Sequence, residues 1–354
     1  MAHDINALLK LMVDKNASDL HIAAGYPISI RVDEKLIAVD SVSQSPESAK
    51  QLIYSILNKE MIAKFERDLE LDMAFGVPEL GRFRVNVFKQ RGTFATSIRL
   101  IPYKIWSFEE CGLPNDITVS LCNKPKGLVL VTGATGSGKS TSLASMIDWI
   151  NQNVPCHIVT IEDPIEFVHN NKKAIVSQRE VYSDTYTFGA ALKHVLRQDP
   201  DVILIGEMRD LETIESALVI AETGHLVFAT LHTSDCAQTI NRVIDVFPAH
   251  HQQQIRVQLS FVLLAVLSQQ LIPKLRGPGR VLATEILTAT PAVRSLIRES
   301  KVHQIYSVMQ TSQREGMKTM NQALYENYQK RLISYEEALD RTSDPEDLLR
   351  LFKR

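Results

Sequence analysis

The sequence predicts an α/β protein in two parts. A small α+β domain covers 1–100, a linker follows at 101–115, and a larger α/β domain covers 116–354, with a mainly helical C-terminal region from about 249. Three observations carry that reading. Strict apolar–polar alternation in the first hundred residues marks antiparallel strands with one covered face. Pro102 and Pro114 interrupt the periodicity between the two parts. Beyond them, short wholly apolar runs alternate with helical periodicity, as in a parallel sheet with crossover helices.

The elements follow in order. A first helix is expected at Ile5 to Asp14, then strands Ile28 to Val32 and Leu36 to Val39 around the turn Asp33-Glu34-Lys35. After Pro46, Leu52, Ile53, Ile56 and Leu57 share a helical face, continued by Met61, Ile62 and Phe65. In Arg82-Phe83-Arg84-Val85-Asn86-Val87 the apolar residues face a core and the arginines face out. The turn Gln90-Arg91-Gly92 leads to a second alternating run through Phe94, Ile98, Arg99 and Leu100, giving a hairpin that shows arginines on one surface. In the linker, Trp106 and Phe108 are placed to pin it to one domain. Further on, strands are expected at Leu128 to Thr132, His157 to Ile161, Val202 to Ile205 and Leu226 to Thr230, with helices between them, which reads as a parallel, RecA-like sheet. The apolar segment Leu259 to Ile272 is too short to span a bilayer and carries Ser and Gln, so a buried helix is expected there.

The segment Gly133-Ala134-Thr135-Gly136-Ser137-Gly138-Lys139-Ser140-Thr141 fits G-x-x-x-x-G-K-[ST] at every fixed position. It follows an apolar strand and opens a helix with Leu143, Met146, Ile147 and Ile150 on one face. Glycines let backbone N–H groups close on phosphates, and the helix N-terminus adds partial positive charge. Lys139 is placed to reach the β- and γ-phosphates, and Ser140 to ligate Mg²⁺.

Composition sets wide bounds. With 45% hydrophobic and 23% charged residues, the chain is of ordinary globular type, and a net charge of -2 gives no overall attraction to nucleic acid or anionic lipid. The four cysteines, Cys111, Cys122, Cys156 and Cys236, form no C-x-x-C pair, so reduced thiols in a cytoplasmic protein and no zinc site are expected. Met1 to Lys10 lacks a signal-peptide pattern.

Nucleotide hydrolysis also needs carboxylates for Mg²⁺ and water, and positive charge at the γ-phosphate. In open α/β sheets these sit at the carboxyl ends of strands. One strand ends in Glu162-Asp163-Pro164-Ile165-Glu166 and another in Gly206-Glu207. Of the first set, one carboxylate would position water while others cap a helix or pair with arginine; Glu166 ranks first as general base and Glu162 second. Gly206 takes the usual Asp position, so Glu207 is expected to meet Mg²⁺ through water. His232, after Leu226 to Thr230, fits both a γ-phosphate contact and a packing role; Thr223 is a candidate to orient it. Arg82, Arg84, Arg91, Arg99 and Arg242 are candidate arginine fingers, each also readable as a solvated surface residue.

Four motifs thus stand in order: Gly133–Thr141, Thr160–Glu166, Asp199–Glu207 and Gly224–Thr233. Together with Ser18-Asp19-Leu20-His21 they resemble the Walker A, Asp box, atypical Walker B and His box of the secretion ATPases, the superfamily behind type II and type IV secretion and type IV pili. The segment Ala292-Val293-Arg294-Ser295-Leu296-Ile297-Arg298-Glu299 is similar to A-I-R-N-L-I-R-E, the C-terminal signature of its pilus retraction members, with Val for Ile and Ser for Asn. Ala134 stands where that family usually has Pro.

The resemblance implies a homohexamer of PAS-like N-terminal and RecA-like ATPase domains. ATP would lie between the two domains of one chain, and the linker would be a hinge. It assigns Glu166 as catalytic glutamate, Glu207 to Walker B and His232 as nucleotide sensor, and makes Ala292–Glu299 the candidate force-transmission segment. It further implies work at the cytoplasmic face of the inner membrane through a platform protein, with a second retraction ATPase as a potential partner and no nucleic acid. The missing tetracysteine motif favours retraction over pilus assembly or type II secretion. A low-turnover accessory subunit is the reading from another class, and a DNA translocase is disfavoured by the charge balance.

Overall fold

A computed structural model describes residues 4–32, 35–77, 80–101 and 104–353. The expected turn residues Asp33 and Glu34 and the linker residues Pro102 and Tyr103 lie outside them. Two compact units form: one runs to Lys104 and includes Glu166–Val168, the other comprises Ile105–Ile165 and the chain from His169 onward.

In the first unit, α1 (Ile5–Asp14) leads to β1 (Asp19–Ala23), β2 (Pro27–Val32) and β3 (Lys35–Ser43); α2 (Pro46–Tyr54) and α3 (Lys59–Asp68) precede β4 (Glu70–Val77), β5 (Gly81–Gln90) and β6 (Thr93–Ile101). The sheet is antiparallel in the order β3-β2-β1-β6-β5-β4. Alternation decides which side of β5 is covered: Phe83, Val85 and Val87 are fully buried, with Leu9, Met12, Ile53 and Phe65 from the helices, while Arg84 is exposed. The β5–β6 turn has positive φ at Arg91 and Gly92, the region glycine enters without steric cost. Strands β1 and β4 were not expected from sequence. The first is five residues long, and the second is an edge strand with one buried residue, Leu71.

In the second unit, α4 (Phe108–Cys111) and α5 (Asn115–Cys122) precede β7 (Gly127–Thr132), α6 (Lys139–Asn153), β8 (His157–Glu162), β9 (Ile175–Glu180), α7 (Phe188–Val195) and β10 (Val202–Ile205). There follow α8 (Leu211–Glu222), β11 (Leu226–Leu231), α9 (Cys236–Asp245), α10 (Gln252–Val262), β12 (Leu263–Pro273) and β13 (Arg280–Thr288). The chain closes with α11 (Pro291–Arg298), α12 (Ile305–Thr311), α13 (Met320–Gln329), α14 (Tyr335–Arg341) and α15 (Pro345–Phe352). The sheet order is β13-β12-β7-β11-β10-β8-β9, parallel except for β13. Every residue of β7 and β11 is buried, because helices cover both faces. Residues 105–115 of the expected linker group with this unit: Phe108 is buried and stacks on Trp149, and Ser145 donates to the Trp106 carbonyl at 2.6 Å.

The helix expected at Leu259 to Ile272 is corrected. Helix α10 stops at Val262, and Leu263–Pro273 is a strand beside β7 that pairs with β13, so two strands interrupt the helices after Pro248. A strand covered on both faces has no alternation to show, and a short apolar run then reads the same as a buried helix. Among the described residues, no helix is long and apolar enough to cross a membrane.

Candidate functional site

The phosphate loop joins β7 to α6, between β12 and β11 at the carboxyl end of the sheet. Gly133, Gly136 and Gly138 all have positive φ. A Cβ on Gly133 would lie 2.4 Å from the Gln269 carbonyl oxygen and 2.6 Å from Ser137 Oγ, so the loop packs against β12 only with glycine there. Lys139 is buried, and its Nζ donates to the Gly133 and Ala134 carbonyls at 2.8 and 3.0 Å. The first turn of α6 is fixed by buried Gln269, which exchanges hydrogen bonds with Ser142. Ser137 Oγ is buried with no hydrogen-bond partner among the described residues. A hydroxyl left so, beside an ammonium held on carbonyls and the N-terminus of α6, fits a polyanionic phosphate chain.

Three more strand ends line up beside it, in the order β7, β11, β10, β8. The end of β8 carries Glu162, whose Oε1 accepts from Thr160 Oγ1 at 2.7 Å and Gln178 Nε2 at 3.2 Å. The end of β10 carries Glu207. Its Oε2 pairs with Arg209 Nη2 at 2.7 Å and its Oε1 meets His232 Nε2 at 3.2 Å. Partial burial raises the Glu207 carboxyl, but the Arg209 hydrogen bond and the charges of His232 and Arg209 outweigh it and hold it below the ordinary range. Between β10 and β11, Thr230 Oγ1 donates to the Gly206 carbonyl at 2.5 Å and Met208 N–H to the Thr230 carbonyl at 3.0 Å, which aims Glu207 between the strands.

Gly206 has a steric reason. A Cβ there would stand 3.1 Å from Glu162 Cα and 3.2 Å from the Ile161 carbonyl oxygen, so an Asp at that position would need the backbones of β8 and β10 to give by a few tenths of an ångström. Thr223 does not orient His232. It lies at the C-terminus of α8, before β11, where its Oγ1 contacts His225 Nδ1 at 3.3 Å, whereas His232 follows the far end of that strand.

Phosphate loop, Glu162, Glu207 and His232 therefore share one unit, whereas Glu166 is exposed on the segment Glu166–Val168 that groups with the first. Arg82, Arg84, Arg91 and Arg99 also lie in the first unit. Arg99 Nε donates to Asp19 Oδ1 at 2.8 Å, and its cross-strand neighbour Arg84 is exposed. Arg242 is exposed on α9. In α11, Arg294 is not the solvated residue that an amphipathic pattern suggests. It donates to the carbonyls of Ser260, Phe261 (2.7 Å), Leu263 (3.0 Å) and Ala289 (2.9 Å), closing the last turn of α10. Val293 and Ile297 are fully buried beneath it.

Sequence reasoning missed Arg209, Ser142, Gln269 and Asp148. Arg209 stands two residues from Glu207 and was findable by spacing. The Ser142–Gln269 pair spans 127 residues and leaves no local signal. Asp148, on α6, holds Lys172 at 2.6 Å with His169 Nδ1 at 4.0 Å. Asn151 on the same helix receives the Lys172 N–H at 3.0 Å, so α6 straps down the segment between β8 and β9.

The family model described as type II/IV secretion system protein matches residues 1–340. The chain is 50% identical over 344 residues to the type IV pilus retraction ATPase PilT of Pseudomonas aeruginosa, covering 97% of this chain and 99% of that one. It is 46% identical over 349 residues to a twitching motility protein of Neisseria gonorrhoeae, covering 98% and 93%. The crystal structure of the pilus retraction motor PilT with bound ADP superposes with a TM-score of 0.93 at 48% identity, covering 98% of this chain and 99% of the other.

Proposed function

Since the chain belongs to the type II/IV secretion system protein family, we propose that it is an ATP-hydrolysing motor that powers type IV pilus retraction and twitching motility. One observation carries the chemistry: the phosphate loop, His232, Glu207 and Glu162 end four adjacent strands, with His232 in contact with Glu207. The near-full-length likeness to a pilus retraction ATPase supports the output.

Each residue has a part. Backbone N–H groups of Gly133–Thr141 cradle the phosphates, and Lys139 exchanges its two loop carbonyls for β- and γ-phosphate oxygens. Mg²⁺ held by Ser140 and, through water, by Glu207 would offset phosphate charge. Glu166 takes the proton of the attacking water as its oxygen bonds the γ-phosphorus and the bond to ADP breaks. Glu162, already accepting from Thr160 and Gln178, shapes the water site. His232 reports phosphate occupancy to Glu207. An arginine from a neighbouring subunit, with Arg82, Arg84, Arg91 and Arg242 as candidates beside the Asp19-paired Arg99, supplies charge at the γ-phosphate.

The working form is a homohexamer at the cytoplasmic face of the inner membrane, acting on the pilus platform protein, with the part of 101–115 that precedes Ile105 as hinge and Ala292–Glu299 transmitting force. The signature in α11 favours retraction over assembly. Lys139→Ala is expected to lower ATP hydrolysis by about 100-fold or more. Turnover near wild type in that variant would remove the phosphate loop from the mechanism.

A further inference from the structure

Strand β13 carries a carboxylate that the chemistry above does not use. Glu285 is 4% exposed. Its Oε1 accepts the Cys236 N–H at 2.7 Å and its Oε2 the Met320 N–H at 3.2 Å. Cys236 and Met320 are the first residues of α9 and α13. One buried side chain therefore satisfies two helix N-termini, where unpaired N–H groups and partial positive charge collect. Burial is the largest influence and pushes this carboxyl up; the Cys236 and Met320 donors oppose it, and Asp235 adds to the rise.

Helix α9 begins four residues after His232, and two other contacts grip the loop between. Ser268 stands opposite Glu285 in the β12–β13 ladder and donates Oγ–H to the Ser234 carbonyl at 2.8 Å. Thr239 of α9 bonds Thr233 Oγ1 at 2.7 Å and reaches Thr132 Oγ1 at 3.4 Å, directly before the phosphate loop. The loop that follows His232 is thus held from the phosphate-loop strand on one side and from the C-terminal hairpin on the other.

We propose that Glu285 is a positioning residue for the nucleotide sensor: by joining the N-termini of α9 and α13, it fixes the loop that holds His232 against Glu207 and couples that loop to the C-terminal helices. This rests on the ATPase reading. A glutamine has one acceptor oxygen, so in Glu285→Gln the amide NH₂ faces one of the two N–H donors and one helix N-terminus shifts.

The test is steady-state ATP hydrolysis by the full-length protein. Glu285→Gln is expected to lower kcat about tenfold with KM for ATP within about twofold. In a His232→Ala background the same change should cost little more, since both act through one loop. An unchanged kcat in folded Glu285→Gln, or losses that simply add, overturns the proposal. If Glu285→Gln does not fold, Ser268→Ala removes the neighbouring grip without touching the buried charge and should give the same kcat-selective, His232-dependent loss; an unchanged kcat there overturns it equally. A wild-type protein without turnover overturns the ATPase reading and this inference with it, whereas wild-type turnover with an unaffected Glu285→Gln overturns this inference alone.

Discussion

Gly206 shows how one residue's space decides a motif. An Asp at that position is the familiar way to hold Mg²⁺, yet its Cβ would press on Glu162 Cα and the Ile161 carbonyl. Gly206→Asp is therefore expected to destabilise the protein by about 1–3 kcal/mol and to lower turnover, measured by denaturant unfolding and ATP hydrolysis. Turnover at or above wild type would show that the strands separate freely. Glu162 at the end of β8 and Glu166 after it separate in a similar way. Glu166→Gln should retain bound ATP and lose turnover by about 100-fold or more, as expected for a lost general base. Glu162→Gln keeps an amide oxygen to accept from Thr160 and should lose less. The reverse ranking, read from single-turnover hydrolysis, would give Glu162 the base role.

At the scale of elements, α6 does more than follow the phosphate loop. Its Asp148 holds Lys172, with His169 close by. Burial raises the Asp148 carboxyl, but the nearby His169, the hydrogen bonds from Lys172 and Gln152 and the Lys172 charge outweigh it and bring it down to about 2. The folded value lies below the unfolded one, so the stabilisation is complete above pH about 4 and is lost as pH falls toward about 2. Asp148→Asn should cost about 2 kcal/mol at pH 7, and its stability should meet that of wild type near pH 2; equal stability at pH 7 would show the strap to be inert.

Elements also show what was legible in the sequence. The phosphate loop was readable because its spacing is rigid and both neighbours carry clear periodicity. The β5–β6 hairpin was readable because one face is solvated. Leu263–Pro273 was not, since its two covered faces erase the period that separates strand from helix. Glu285 and Gln269 looked like ordinary polar residues, because their partners lie 49 and 127 residues away. The contacts of Arg294 were not legible either, because its four acceptors are backbone carbonyls, which leave no mark in a sequence.

For the whole molecule, the division into two units places Lys139, Glu207 and His232 in one body and most of the candidate fingers in the other. If Arg84 acts across a subunit boundary, rings of Arg84→Ala alone and of Lys139→Ala alone should both be inactive, while mixed rings recover part of the turnover. No recovery on mixing would remove Arg84 from that role. A retraction motor differs from an assembly motor in the direction of its work, which a count of surface pili with a motility assay reads, after deleting the gene and restoring it as wild type or as Lys139→Ala. Retraction predicts abundant pili on non-motile cells in the deletion and with Lys139→Ala, and motility restored by wild type alone. Bald cells in the deletion would contradict it and make the chain an assembly motor.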